Sequence, residues 1–182
     1  LNYSISNHTL LLVDQVKDLG VLIDSKLKFN HHILDCVTRA RQRSSLIFRG
    51  FLSRDTSHLK RAFITYVRPL VEYVSPVWSP SYIHLINEIE SVQRTFTKRL
   101  PGLDQLTCAD RLHHLKLQSL EHRRLLSDLI LCFKIVRGFS SITINDMFIP
   151  STNLFLRGHS FRLESPLAKC NIRNHFFTCR VL

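Results

Sequence analysis

The side chains able to do acid–base or metal chemistry in this chain are 14 carboxylates, 10 histidines and five cysteines. Their spacing speaks against most such chemistry. No two of the carboxylates are adjacent along the chain, so no local pair is offered to a divalent metal, which needs converging oxygens to clamp a reacting group. His31-His32 and His113-His114 are neighbouring pairs that helical geometry points apart. Cys108 with His113 and His114 is the nearest approach to a ligand set, one short of the four that a structural zinc needs. The odd cysteine count, without any Cys-x-x-Cys, reads neither as a disulfide framework nor as a zinc ribbon. Cys36, Cys132 and Cys179 lie on apolar-patterned segments and are expected to be buried thiols. An independent hydrolase or metalloenzyme is therefore the weakest of three functional readings.

The cations carry more information. Lys and Arg outnumber Asp and Glu by 25 to 14, a formal charge of +11. Residues 1–28 are balanced, whereas residues 29–149 hold 17 basic against 10 acidic groups and residues 150–182 hold five against one. Such an excess suits a phosphate-bearing partner, or it is simply a solvated basic surface. Arg39 and Arg43 stand four apart on one flank of a helical stripe, with Arg41 on the other flank. Like charges at that spacing repel by a few tenths of a kcal/mol, and either an anionic partner or water relieves this. Glu90, Arg94 and Lys98 form an i, i+4, i+8 row with Arg99 beside it. Glu90 is expected to pair with Arg94, leaving Lys98 and Arg99 free near a helix C-terminus, where cations also suit the macrodipole. Arg39, Arg43, Arg94, Lys98 and Arg99 are the candidate phosphate contacts. Contacts of this kind position a nucleic acid and read no sequence.

Periodicity supplies the elements that must hold these residues. Leu1 to Asp24 reads as strand, with a turn at Asn7, an apolar run from Leu10 to Val13, and β-formers from Val16 to Asp24. From Asn30, taken as an N-cap, the pattern turns helical. Ile33, Val37, Ala40, Ser44, Ile47, Phe48 and Phe51 form its inner stripe. A second helix is expected from Thr56 to Val67 after a polar break. Pro69 disfavours helical geometry at Arg68, which predicts a kink there. Leu85, Ile89, Val92, Phe96 and Leu100 mark the buried side of a helix over 84–100. Thr107 and Asp110 open a short helix as a capping-box variant. Ser119 caps a last long helix that Gly138 ends. Leu125, Leu126, Leu129, Ile130, Cys132, Phe133 and Val136 spread over a broad arc of it, predicting a heavily packed helix. Arg123, Arg124 and Lys134 are expected on its polar side, as a solvated face or as nucleic-acid contacts. Residues 139–182 lack helical periodicity, and Phe155, Phe161 and Phe176-Phe177 call for a partner surface.

Trp78 lies between Pro76 and Pro80 and could stack on a base. The stronger expectation is that Trp78, with Tyr66 and Tyr73, fills a junction between helices, because large aromatics dominate cores. The fold class is thus mainly α: a multi-helix bundle preceded by a short β-hairpin or strand segment, with a loop-rich tail containing short strands. Apolar content of 45% and only five glycines fit a folded chain large enough for a sizeable core. No apolar run reaches the ~18 residues of a membrane span, and no signal peptide opens the chain. A reducing, intracellular setting is expected, nucleus or cytoplasm.

Two signatures point further: Tyr66-Val67-Arg68-Pro69-Leu70-Val71-Glu72-Tyr73 with Val77-Trp78-Ser79-Pro80, and Glu90-Ser91-Val92-Gln93-Arg94-Thr95-Phe96-Thr97-Lys98-Arg99. Together they resemble the region downstream of the catalytic core in reverse transcriptases of non-LTR (LINE-type) retrotransposons, jockey-like and chicken-repeat-like elements above all. In order along the chain, Val16 to Asp24 resembles the strand that closes the palm, and Phe29 with His32-Ile33 the start of the thumb helices. Leu100-Pro101-Gly102-Leu103, Ser119 to Arg124, Asp128-Leu129-Ile130 and His175 to Val181 also match in place. No one of these motifs is specific; the ordered series is. Polymerases of this family carry a Tyr/Phe-x-Asp-Asp turn and an upstream aspartate for Mg2+, and this sequence has neither. The resemblance therefore implies a non-catalytic piece, without fingers, metal-binding palm or endonuclease, that does not polymerise on its own and needs no cofactor. It implies an end-of-palm-like segment (1–28), a helical thumb-like and downstream domain (29–138) and a loop-rich basic tail (139–182). The implied partners are RNA, DNA or an RNA–DNA hybrid, gripped by backbone charge and shape, together with the parent's palm and fingers. The alternative is a decayed remnant that folds, or half folds, and binds nothing.

Overall fold

The structure is a computed structural model that describes the backbone of residues 4–5 and 8–9, and residues 12–151, 161–165 and 171–182, with 171 and 172 by backbone alone. The expected turn at Asn7, the start of the apolar run at Leu10, and Phe155 lie outside the described residues. The fold is mainly helical, with hairpins at its amino-terminal end and a two-stranded sheet near its carboxyl end.

Two short antiparallel pairs come first, β1 (Ser4–Ile5) with β2 (His8–Thr9) and β3 (Gln15–Asp18) with β4 (Val21–Asp24). The hairpin expected at this end turns at Leu19-Gly20, whose φ values of 44° and 89° make the two-residue turn that matches strand twist. The stretch over 16–24 that resembles a single palm-closing strand is thus folded in two. β3 is solvent-exposed throughout, while Val21 of β4 reaches the core.

Helix α1 (Asn30–Gly50) follows, and Asn30 does not cap it. The preceding residue, Phe29, has φ 55° and makes no side-chain cap bond, and the buried Oδ1 of Asn30 has no partner. Asp24 does the local work instead, accepting from the backbone N–H groups of Lys26, Lys28 and Phe29 at 2.8–3.2 Å. Partial burial alone would raise the Asp24 pKa, but these donors outweigh it and hold the carboxyl below its ordinary range.

Next, α2 (Thr56–Ala62) is capped by Asp55, which accepts from Ser57 and His58 N–H. It runs without a break into a π-helical turn (Phe63–Val67) and a 3-10 turn (Arg68–Val71). The expected extended kink at Arg68 is absent: its φ/ψ of −56°/−41° is helical. Pro69 has no N–H for an i−4 bond and its ring crowds that carbonyl. The helix answers by widening, with Arg68 N–H bonding Phe63 O, and then by tightening.

The one-turn α3 (Ser75–Trp78) leads to α4 (Ile83–Lys98) and α5 (Cys108–Leu115). Thr107 caps α5 as its spacing predicts, accepting from Asp110 N–H at 3.2 Å. The main core gathers Ile33, Val37, Ala40, Ile47, Phe63, Trp78, Ile89 and Phe96.

Helix α6 (Leu120–Val136) is capped by Ser119 and terminated around Gly138, at φ 71°, with the paired C-terminal bonds Gly138 N–Ile135 O and Phe139 N–Lys134 O. Its orientation reverses the expectation. Leu120, Arg124, Asp128 and Ile135 are buried, whereas Leu125, Leu126, Leu129, Ile130 and Phe133 are each between 41% and 54% exposed. Three charged side chains at this helix meet residues distant in sequence, whereas the two Nη atoms of Arg124 have no partner among the described residues. Arg123 forks onto Glu72, Asp128 binds Arg180, and Glu90 accepts from Glu121 N–H. Cys132 is only half-buried, and so is Cys179.

The tail adds one-turn helices that its sequence pattern did not announce, α7 (Ile144–Met147), α8 (Asn171–Asn174) and α9 (Phe177–Arg180), beside the pair β5 (Ile149–Pro150) and β6 (Leu163–Glu164). Phe148 and Phe177 dock on Ile135 in a second, small core. No helix among the described residues is long and apolar enough to cross a membrane.

Candidate nucleic-acid interface

The interface starts from where acids are missing. Between Cys36 and Arg54 the chain holds Arg39, Arg41, Arg43, Arg49 and Arg54 and no carboxylate; between Ser91 and Leu103 it holds Arg94, Lys98 and Arg99 and again none. These stretches are the carboxyl-terminal parts of α1 and α4. The helices pack in parallel, since Arg41 reaches Glu88 and Ser91 at 2.8 Å while Phe48, two turns on, meets Phe96. Both negative macrodipole ends and both acid-free runs are therefore brought together.

Phe48 is the meeting point. The Arg99 guanidinium lies 4.1 Å above its ring, a cation–π contact. From the loop after α1, Arg54 Nη1 donates to the Phe48 carbonyl at 2.9 Å and satisfies an orphan C=O of the helix end. The ring itself is fixed from below by Phe96, which in turn contacts Phe63, at centroid distances of 4.8 and 4.7 Å. Two arginines are thus oriented on one residue, Arg99 on its ring and Arg54 on its carbonyl, with Arg49 and Lys98 exposed beside them in sequence. Among the described residues, Arg43, Arg49, Arg54, Arg94, Lys98 and Arg99 form no ion pair.

The five residues singled out from sequence fall on two surfaces. Arg41 marks the flank of α1 that faces α4, so Arg39 and Arg43, on the opposite flank, face away from Lys98 and Arg99. Arg39 is engaged within its own helix, pairing with Asp35 at 2.9 Å and contacting Cys36 Sγ at 3.3 Å. Arg43 is exposed. Arg94 does not pair with Glu90; it donates to the Asn87 carbonyl at 3.3 Å. Glu90 turns inward to the amino-terminal end of α6, where burial, partly offset by the Glu121 N–H and by Arg124, raises its pKa. Arg124, expected on a polar face, is buried with both Nη atoms unpartnered in the protein, and desolvation lowers its pKa.

The aromatic residues also divide. Trp78 is 2% exposed, donates its indole N–H to Tyr73 O at 2.8 Å and meets His32 edge to face, so it belongs to the core. Tyr66 and Tyr73, expected beside it, are 52% and 55% exposed. Tyr73 instead reaches the hairpin, donating its hydroxyl to Leu19 O at 3.2 Å, while the Pro69 carbonyl accepts from Tyr73 N–H. Arg54 and Arg49 were missed by the reading from helical rows. The signal that finds them is the absence of acids across 36–54, which no single helix face displays.

No group of three or more His, Cys, Asp or Glu side chains able to hold a metal occurs among the described residues. A cleft of about 440 Å³ lies between α3, α4, α6 and the tail, walled by Phe29, Trp78, Leu85, Leu131, Met147 and Phe176. It is an apolar junction and lies away from the acid-free helix ends.

A Caenorhabditis elegans protein, itself described as uncharacterized, is 26% identical to this chain over 147 residues, which covers 79% of the chain and 71% of that protein. No family model matches the chain, and no solved structure matches it. The likeness adds extent, not chemistry.

Proposed function

We propose that this chain is a non-catalytic carboxyl-terminal piece of a LINE-type RNA-directed DNA polymerase, acting inside the cell, that grips template–primer nucleic acid through backbone charge. One observation carries the reading. The shared end of the parallel α1 and α4, with the loop after α1, supplies Arg49, Arg54, Lys98 and Arg99, with Arg99 over the Phe48 ring and Arg54 on the Phe48 carbonyl. Charge without base-reading side chains suits a duplex held by its phosphates. The ordered series of residues resembling that polymerase family supports such a parent, which would need Mg2+ at residues this chain does not contain.

A second reading, a decayed remnant that binds nothing, is favoured by the exposed apolar side of α6, since wide apolar patches are unusual on a functional monomer. Chemical footprinting separates the two. Limited acetylation, read by mass spectrometry, should slow at Lys98 but not at the exposed Lys116 when an RNA–DNA hybrid is added. Equal protection of both lysines, or of neither, contradicts the proposed grip.

A further inference from the structure

A second cleft lies one turn beyond Phe48, and its lining is unlike that of the apolar junction. About 430 Å³ in volume, it is walled by Phe51 and Tyr66, with His58, Arg61, Ser53 and Thr65 around them. That volume is within the range of small-ligand sites, about 300–1,000 Å³. His58, Arg61, Ala62, Thr65 and Tyr66 recur at three- and four-residue spacing and so share one side of the α2 and π-helical segment. The π turn over 63–67, just before Pro69, sets where Thr65 and Tyr66 point; such turns recur at functional sites.

We propose that this cleft binds one unpaired nucleotide, its base against Phe51 and Tyr66 and its phosphate on Arg61. This rests on the nucleic-acid reading above and deepens it. Both aromatics are partly exposed, 37% and 52%, and a base offers each a π face to cover. Arg61 is exposed and forms no ion pair among the described residues, so its guanidinium is free for a bidentate phosphate contact. Ser53 and Thr65 supply hydroxyls for a sugar or a base edge. No carboxylate is among the described lining residues; Asp55 stands 3.8 Å from His58 Nδ1 and accepts from the Ser57 and His58 N–H groups. The cleft adjoins the basic end along the chain: Phe51 and Ser53 line it, and the next residue, Arg54, returns to the Phe48 carbonyl. In a duplex the bases are stacked on each other and closed to such a cleft, so the ligand is single-stranded. A duplex held at the basic end would thus place its unpaired overhang here.

The test compares two hybrids, one blunt and one carrying a single-stranded overhang with 2-aminopurine, on the full chain. The overhang should strengthen binding by about tenfold, the scale of one stacked base, and 2-aminopurine fluorescence should be quenched. The overhang-to-blunt ratio should fall toward one in both Tyr66→Ala and Phe51→Ala, each checked for a wild-type melting transition. Blunt hybrid bound with no overhang gain and no quenching overturns the cleft and leaves the grip standing. Neither hybrid bound at low salt overturns the grip, and the cleft with it. A gain that survives both substitutions places the overhang elsewhere and overturns the assignment.

Discussion

Asp128 and Arg180, 52 residues apart, form a two-point ion pair with Nε–Oδ2 at 2.9 Å and Nη2–Oδ1 at 3.0 Å. Asp128 is 1% exposed, and Arg180 also donates to the carbonyls of His175 and Pro76. One side chain of α9 therefore ties α6 to the turn that carries Trp78. Removing either partner strands a charge. Arg180→Ala and Asp128→Ala should each lower unfolding free energy by about 3 kcal/mol, read from urea midpoints, and Arg180→Lys should not restore it because the fork is lost. Losses below about 0.5 kcal/mol would show that the tail is not docked this way.

The start of α1 gives a contrast between neighbouring residues. Asp24→Ala should cost about 1 kcal/mol, the usual scale for a carboxylate serving terminal N–H groups. Asn30→Ala should be close to neutral, since its Oδ1 is buried without a partner. Because the folded Asp24 pKa is lowered from 3.8, its contribution is present above that value and fades as pH falls through the folded pKa. Thermal melts of both variants at neutral and acidic pH read this directly.

Glu90 has the opposite sign. Its folded pKa is raised from 4.5, with burial the largest cause. The protonated form is thus favoured in the folded state, and its contribution is fully present below 4.5 and lost as pH rises through the folded value. The stability of the wild type relative to Glu90→Gln should therefore fall across that window. A difference independent of pH would mean that Glu90 faces solvent, as its helical row first suggests.

Helix α6 offers the sharpest packing test. Ile135 is 1% exposed and Leu129 is 48% exposed. Ile135→Ala should cost about 2–4 kcal/mol, whereas Leu129→Ala should stay within about 0.5 kcal/mol, both by chemical denaturation of the isolated chain. The reverse order would restore the arrangement that the apolar spacing alone suggests.

What could be read in advance follows from range. The inner faces of α1 and α4 were legible because Ile33, Val37 and Ala40, like Ile89, Val92 and Phe96, recur at the helical period. The caps at Thr107 and Ser119 were legible because a cap acts across three residues. The buried side of α6 was not, since Arg123, Asp128 and Glu121 find their partners 31 to 52 residues away. The π turn was hidden too: Pro69 announces a disturbance, yet whether the chain breaks or widens depends on the packing of Phe63 and Val67. Of the candidate interface, Lys98 and Arg99 were legible from their helix end. Arg54 was not, because its place is set by a carbonyl that only the folded α1 terminus exposes.

The most direct measurement is the salt dependence of binding to a labelled RNA–DNA hybrid, from low to physiological salt, for the folded wild type and for Lys98→Ala and Arg54→Ala. The account predicts that log affinity falls linearly with log salt, and that each substitution flattens the slope by up to about 0.9, the loss expected for one phosphate contact. A folded wild type that does not bind at low salt, or a slope that neither substitution changes, would contradict the claim that the shared end of α1 and α4 grips phosphate.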